Sequence, residues 1–225
     1  MRFAPAKEAL DRRLEGIWPK FLNHDALSVK YWDQLYGEFP EYQFMLFEGD
    51  ELIGEANCVP VAGMPEQWRD AFRAAFEREG ELDRVCALAI MVPPSQRGRG
   101  LSKVMLDHMR TLAAPFGELV APVRPTLKEQ HPDVSIDEYA GWRREDGTHY
   151  DPWIRTHERA GGVITGTAEG AMLIEGSRET WIDWTGLDLP EDGEAAVPGG
   201  LSPVTFSGGY GVYREPCVWL RHTID

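Results

Sequence analysis

The chain has 225 residues, 43% of them hydrophobic and 27% charged, with a formal net charge of −14 at pH 7. That length can bury a substantial core, and the composition excludes a disordered chain; no apolar run approaches the roughly 20 residues a membrane helix needs. The acidic balance repels nucleic acid and anionic lipid, so an anionic ligand would need a concentrated local positive site.

The opening "MRFAPAKEALDRRLEG" lacks the apolar centre of a secretion signal, so a cytoplasmic protein is expected. Leu10, Leu14, Ile17 and Trp18 recur at helical spacing, as do Leu27, Tyr31, Trp32 and Leu35, which predicts two amphipathic helices near the start. "YQFMLFEGDELIGEANCVPV" predicts a hairpin turning at Gly49 and Asp50. In "MPEQWRDAFRAAFEREG", Trp68, Phe72, Ala75 and Phe76 share one face, so a third helix is expected between 64 and 80.

"RVCALAIMV", residues 84–92, is short and apolar, as a strand buried on both faces should be. After a glycine-rich segment, Leu101, Val104, Met105, Met109 and Leu112 mark a helix, and "ELVAPV", 118–123, reads as the next strand. Residues 84–123 therefore form a β-α-β unit whose strands should be parallel.

Beyond it, "DPWIRTHERAGG" predicts a short helix with Asp151 as cap and Pro152 in the first turn, followed by the strand "VIT". "GSRETWIDWTG" suggests another helical turn, and "YGVYREPCVWLRH" an edge strand interrupted by Pro216. The expected organisation is one domain over residues 1–165 with a C-terminal extension, 166–225, packed on it.

The chemistry concentrates in "VPPSQRGRGLSKVML", where a strand meets a helix. A helix start leaves backbone N–H groups unpaired and partly positive, glycine permits close approach, and Arg97 and Arg99 add forked donors suited to a pyrophosphate. Without a ligand, Gly98 and Gly100 would only make a tight turn beside solvated arginines. A P-loop is absent, and Lys103 occupies the third glycine position of a dinucleotide fingerprint.

"LAIMVPPSQRGRGLSKVML" resembles the acetyl-CoA-binding signature of the GNAT superfamily of N-acetyltransferases, a strand ending near V-x-P followed by R-x-x-G-x-G/A and a helix. Arg97, Gly100 and Ser102 take those three positions, with serine replacing the last Gly or Ala. The resemblance implies an α/β fold with a mixed central sheet flanked by helices, and acetyl-CoA as co-substrate. It implies pyrophosphate binding by the N–H groups of Arg97, Gly98, Arg99, Gly100, Leu101 and Ser102, with pantetheine along Ile90, Met91 and Val92.

Many family members carry Y-x-x-x-G-F, whose tyrosine protonates the departing thiolate. In "HERAGG" His157 stands at the tyrosine position, Gly161 at the glycine and Gly162 in place of phenylalanine. An ordinary histidine pKa would permit proton donation near neutrality; the alternative is a helix-end histidine facing the dipole or water. Asp83 is the carboxylate nearest the cofactor strand and the candidate base, unless it is plain surface.

Arg124, Lys128 and His131 follow the 118–123 strand and would face an acidic acceptor, a CoA phosphate or solvent. Trp142, Trp153, Trp181, Trp184 and Trp219 suit an apolar acceptor pocket, or a core and a homodimer contact. Cys58, Cys86 and Cys217 are odd in number and far apart, and neither they nor the scattered histidines have metal-ligand spacing.

The resulting expectation is an acyl-CoA-dependent transferase moving an acetyl or other short acyl group to a small amine by direct attack. Backbone N–H groups near the end of the cofactor strand would polarise the thioester carbonyl. The alternatives are a non-catalytic acyl-CoA-binding module of the same fold, or transfer to oxygen or sulfur.

Overall fold

Period-two alternation sorts the side chains of the first strands onto two faces, and helices cover both. The computed structural model describes every residue except Ala9, Glu15, Glu79 and Asp225. Strand β1 (Arg2–Pro5) is followed by helices α1 (Ala26–Tyr31) and α2 (Leu35–Glu38), the hairpin strands β2 (Gln43–Glu48) and β3 (Glu51–Val61), and helix α3 (Asp70–Phe76). Next come β4 (Arg84–Met91), α4 (Leu101–Ala113), β5 (Glu118–Val123), α5 (Ile136–Ala140) and α6 (Pro152–Arg159). The chain ends with β6 (Val163–Ser177), α7 (Arg178–Thr185), β7 (Gly193–Ala195), β8 (Val204–Ser207) and β9 (Tyr210–Thr223).

The strands form one mixed, mostly antiparallel sheet in the order β1-β2-β3-β4-β5-β9-β8-β7, with β6 also paired to β9. Met45, Phe47, Cys86 and Val120 point to the face covered by α1 and α3, through Leu27, Tyr31, Phe72 and Ala75. Their neighbours Phe44, Leu46, Val85 and Leu119 point to the other face, against Leu101, Met105, Leu106 and Met109 of α4. Fully burying each of those α4 side chains contributes about 1.5–3 kcal/mol, so the helix after the glycine turn is anchored by its apolar stripe. No helix among the described residues is long and apolar enough to cross a membrane.

The hairpin turns at Gly49, whose φ is +59°, and the β-α-β unit has its parallel pair, β4 with β5. Two expectations are overturned. The segment from Leu10 to Trp18 is not an α-helix: short 3-10 turns occupy Ala6–Glu8 and Leu10–Arg12, and Leu10 is exposed. Its apolar residues do not share a helical face, because Leu14, Ile17 and Trp18 turn instead to the two cavities described below.

The second correction concerns β9, which is an interior strand and not an edge. It pairs with β6 along one side, and with β5 and β8 on the other. Pro216 is tolerated because the β6 register shifts between Ala168, opposite Cys217, and Met172, opposite Glu215. The bulge in β6 leaves no ladder partner for the N–H that proline lacks.

Candidate active site

β4 and β5 are paired only at Val85 with Leu119 and at Cys86 with Val120. Beyond that point the strands part, and Ala87–Ile90 of β4 faces Ala121–Val123 of β5 across a cleft of about 830 Å³. β4 also carries a bulge. Its register against β3 jumps between Asn57, opposite Ala89, and Cys58, opposite Ala87, so Leu88 is the extra residue. The Leu88 carbonyl released from the ladder accepts a hydrogen bond from the Trp68 indole N–H at 2.9 Å.

The glycine turn forms one end of this cleft. Gly98 and Gly100 have φ of +78° and +74°, backbone that only glycine adopts at little cost, and a Cβ at either would enter open space. Gly100 is the N-cap of α4 and supplies no side-chain cap, so the first N–H groups of the helix are left for a ligand. Arg97, Gly98, Gly100, Leu101 and Ser102 all line the cleft. Arg99 does not: its guanidinium reaches back to the hairpin, where it pairs with both Glu48 oxygens at 2.9 Å. Ile90 and Val92 line the cleft, whereas Met91 points to a second cavity.

His157 is buried on the cleft wall beside Trp153, their rings edge to face at 4.3 Å. Its Nδ1 contacts Nε2 of His222, on β9, at 2.9 Å, while its Nε2 has no hydrogen-bond partner among the described residues. Burial, and then the neighbouring His222, push the His157 pKa well below the ordinary 6.5. The ring is therefore neutral at pH 7, and what it can offer a sulfur atom is a hydrogen bond rather than an imidazolium proton.

Asp83 lines neither cavity. It accepts from the Gly63 N–H at 3.0 Å and pairs with Arg84, whose hydrogen bond holds its carboxyl below the usual carboxylate range. Lys128 is wholly buried, donating to the backbone carbonyls of His131 at 2.8 Å and Leu201 at 2.7 Å, and His131 sits in a cluster with Tyr139, Trp142 and Tyr150. Neither is a solvated loop residue. Arg124 lines the cleft, paired with the buried Glu215 and donating to the Gly199 carbonyl.

The second cavity, of about 410 Å³, shares Trp18, Leu88, Ala89, Pro122 and Arg124 with the cleft. The two spaces thus meet at the β4 bulge. Trp32 and Trp68 form apolar wall, and Arg13, Asp33 and Glu215 add charge. Among the second-half tryptophans, Trp153 reaches the cleft, while Trp181 and Trp219 are core residues and Trp184 stacks on His24. Arg13 and Glu215 carry no local motif, which is why sequence reasoning passed over them, and the helical spacing of Trp18 assigned it to a helix face instead of a cavity wall.

No family model matches the chain. The arginine N-acetyltransferase avaD of Aspergillus versicolor is 32% identical to it over 253 aligned residues, spanning 94% of this chain and 87% of that protein. The chain belongs to the GNAT superfamily of N-acetyltransferases. Among solved GNAT-type structures, the loading GNATL domain of CurA from Lyngbya majuscula superposes with a TM-score of 0.64 at 15% identity, covering 99% of this chain and 96% of that one. The GphF GNAT-like decarboxylase in complex with isobutyryl-CoA gives 0.60 at 14% identity, over the whole of both chains. These two share the fold.

The cleft fits coenzyme A on its own geometry: an uncapped helix start, two glycines in positive φ with open space above them, and a volume of about 830 Å³ between parted strands.

Proposed function

We propose that this N-acetyltransferase transfers an acetyl or other short acyl group from coenzyme A, held in the larger cleft, to an amine of arginine bound in the smaller cavity. The observation that carries the reading is the meeting of the two cavities at the Leu88 bulge, where β4 and β5 have separated. The arginine specificity is taken from the similar Aspergillus versicolor enzyme.

Acetyl-CoA supplies the acyl group as a thioester. The N–H groups of residues 97–102 and the Arg97 side chain hold its pyrophosphate, as the helix start and glycine turn are shaped to do. We assign the pantetheine to the stretch of cleft lined by Ile90 and Val92, and the polarisation of the thioester carbonyl to backbone N–H groups of the irregular Leu88–Ala89 stretch. The amine nitrogen bonds to the carbonyl carbon, and the carbon–sulfur bond breaks.

The amine must lose one proton and the sulfur must gain one. Glu215 borders the acceptor cavity, and burial raises its pKa above the ordinary value, which makes it the stronger base; we assign it the amine proton. In the tautomer whose Nδ1 accepts from His222 Nε2–H, His157 carries its proton on Nε2, and we assign that N–H to the sulfur, where it stabilises the leaving thiolate until solvent supplies the proton. The α-amine of arginine is several units less basic than its guanidinium, so it is the nitrogen that a carboxylate can bring to the neutral form.

The test is release of free CoA thiol from acetyl-CoA with arginine, followed by product analysis. Thiol release with formation of Nα-acetylarginine is expected. Release with other amines but not arginine overturns the acceptor; release with none overturns the transfer.

A further inference from the structure

A buried polar network behind the acceptor cavity has one cationic outlet. Gln43, Glu55 and Asn57 of the β2–β3 hairpin are each fully buried. The Asn57 amide donates to the Gln43 side chain and to the Tyr36 hydroxyl oxygen, both at 3.0 Å. Tyr36 donates its hydroxyl to Glu55 Oε1 at 3.1 Å, and the Leu14 backbone N–H donates to Oε2 at 2.9 Å. A carboxylate so placed is costly unless paired with a cation. Among the described residues its ion-pair partner is Arg13, whose Nε lies 3.5 Å from Glu55 Oε1.

The same network fixes the direction of Arg13. Its guanidinium lies 4.5 Å over the Tyr36 ring, so plane and edge are both held from behind. The front faces the acceptor cavity. A guanidinium has five N–H donors, and the ion pair with Glu55 is made on the Nε side at 3.5 Å. The other contact, Asp33 at 3.3 Å, comes from a side chain 91% exposed, an ion pair of little strength that a ligand can displace. Arg124, the second guanidinium on this wall, is by contrast occupied by Glu215 and the Gly199 carbonyl.

We propose that Arg13 is the receptor for a carboxylate on the acceptor, so that the enzyme selects amino acids over simple amines. This rests on the reading of the smaller cavity as the acceptor site. The planar fork matches a carboxylate in two parallel hydrogen bonds, and the carboxylate replaces Asp33 on the outer donors. Held there, an amino acid keeps its amine within the same cavity, whose wall includes Glu215.

The experiment compares arginine with agmatine, which keeps the guanidinium and a primary amine but has no carboxylate. The enzymes are the wild type, Arg13→Lys, Arg13→Gln, and the double variant Arg13→Gln with Glu55→Gln, which removes the buried charge that Arg13→Gln strands. Thiol release gives kcat/KM, and calorimetry gives binding of each compound. Wild type should prefer arginine by roughly 10- to 100-fold, the range of a charge-assisted pair.

Both glutamine-bearing enzymes should lose most of that preference through arginine, with Arg13→Lys between. Equal use of arginine and agmatine by the wild type, or equal losses for both compounds in the double variant, overturns the proposal. Carboxylate-dependent binding without thiol release would leave the Arg13 assignment standing and remove the transferase reading; an absence of both removes the two together.

Discussion

At Gly100 one missing Cβ decides whether the tight turn before α4 exists. The φ of +74° strains any L side chain, and a carboxylate in the open space above it would repel a pyrophosphate. Gly100→Glu is expected to abolish the rise in Tm that acetyl-CoA gives the wild type, a rise worth about 2.7 kcal/mol at a hundredfold excess over Kd. Differential scanning fluorimetry reads it directly. His157 makes a different prediction. Because its imidazole is neutral at pH 7, His157→Ala should lower kcat by about 10- to 100-fold, the scale of one lost charge-stabilising hydrogen bond, with the KM for acetyl-CoA little changed. The wild-type kcat should show no histidine ionisation between pH 6 and 8.

Among the elements, the β4 bulge and the α6–β9 contact carry the most consequence. Trp68→Phe leaves the Leu88 carbonyl buried without its donor, which should cost about 1–3 kcal/mol in denaturant unfolding and lower kcat, since the unpaired backbone lies where the cavities meet. α6 is tied to β9 by two histidines that must stay neutral. Burial lowers the His222 pKa from 6.5 to about 4 and the His157 pKa in the same direction. Such groups bind protons more weakly folded than unfolded, so their contribution is full above pH 6.5 and is lost as pH falls from 6.5 toward 4. Thermal melts across that window should show falling Tm, and replacing both histidines with glutamine should flatten the slope.

For the whole molecule, β9 and net charge matter most. Deleting residues 210–225 removes the strand that joins β5, β6 and β8, exposing three edges at once. The shortened chain is expected to lose cooperative unfolding by circular dichroism. A net charge of −14 concentrates cations near the surface, so kcat/KM for arginine should fall as salt is raised from 20 to 300 mM at constant kcat.

Much was legible in one dimension because its cause is local. The hairpin is written in Gly49 and Asp50, the α6 start in the Asp151 cap, which accepts from the Trp153 and Ile154 N–H groups, and the turn into α4 in two glycines between an apolar strand and an apolar helix stripe. Helical spacing in Leu10–Trp18 misled, because Leu14, Ile17 and Trp18 answer to cavity walls and not to one another, while Leu10 is left exposed. Pro216 misled likewise: its acceptance inside the sheet depends on a bulge in another strand.

The sequence by itself determined the family, the β2–β3 hairpin and the β4-α4-β5 unit with its glycine turn, since each rests on neighbours or near neighbours in the chain. Tertiary structure alone decided that Arg99 belongs to the hairpin, that His157 meets His222, that Arg13 and Glu215 line one cavity, and that the buried Glu55 pairs with Arg13. Ion pairs and buried carboxylates are chosen by three-dimensional proximity and by the cost of leaving charge unpaired away from water, and neither leaves a spacing that can be read along the chain.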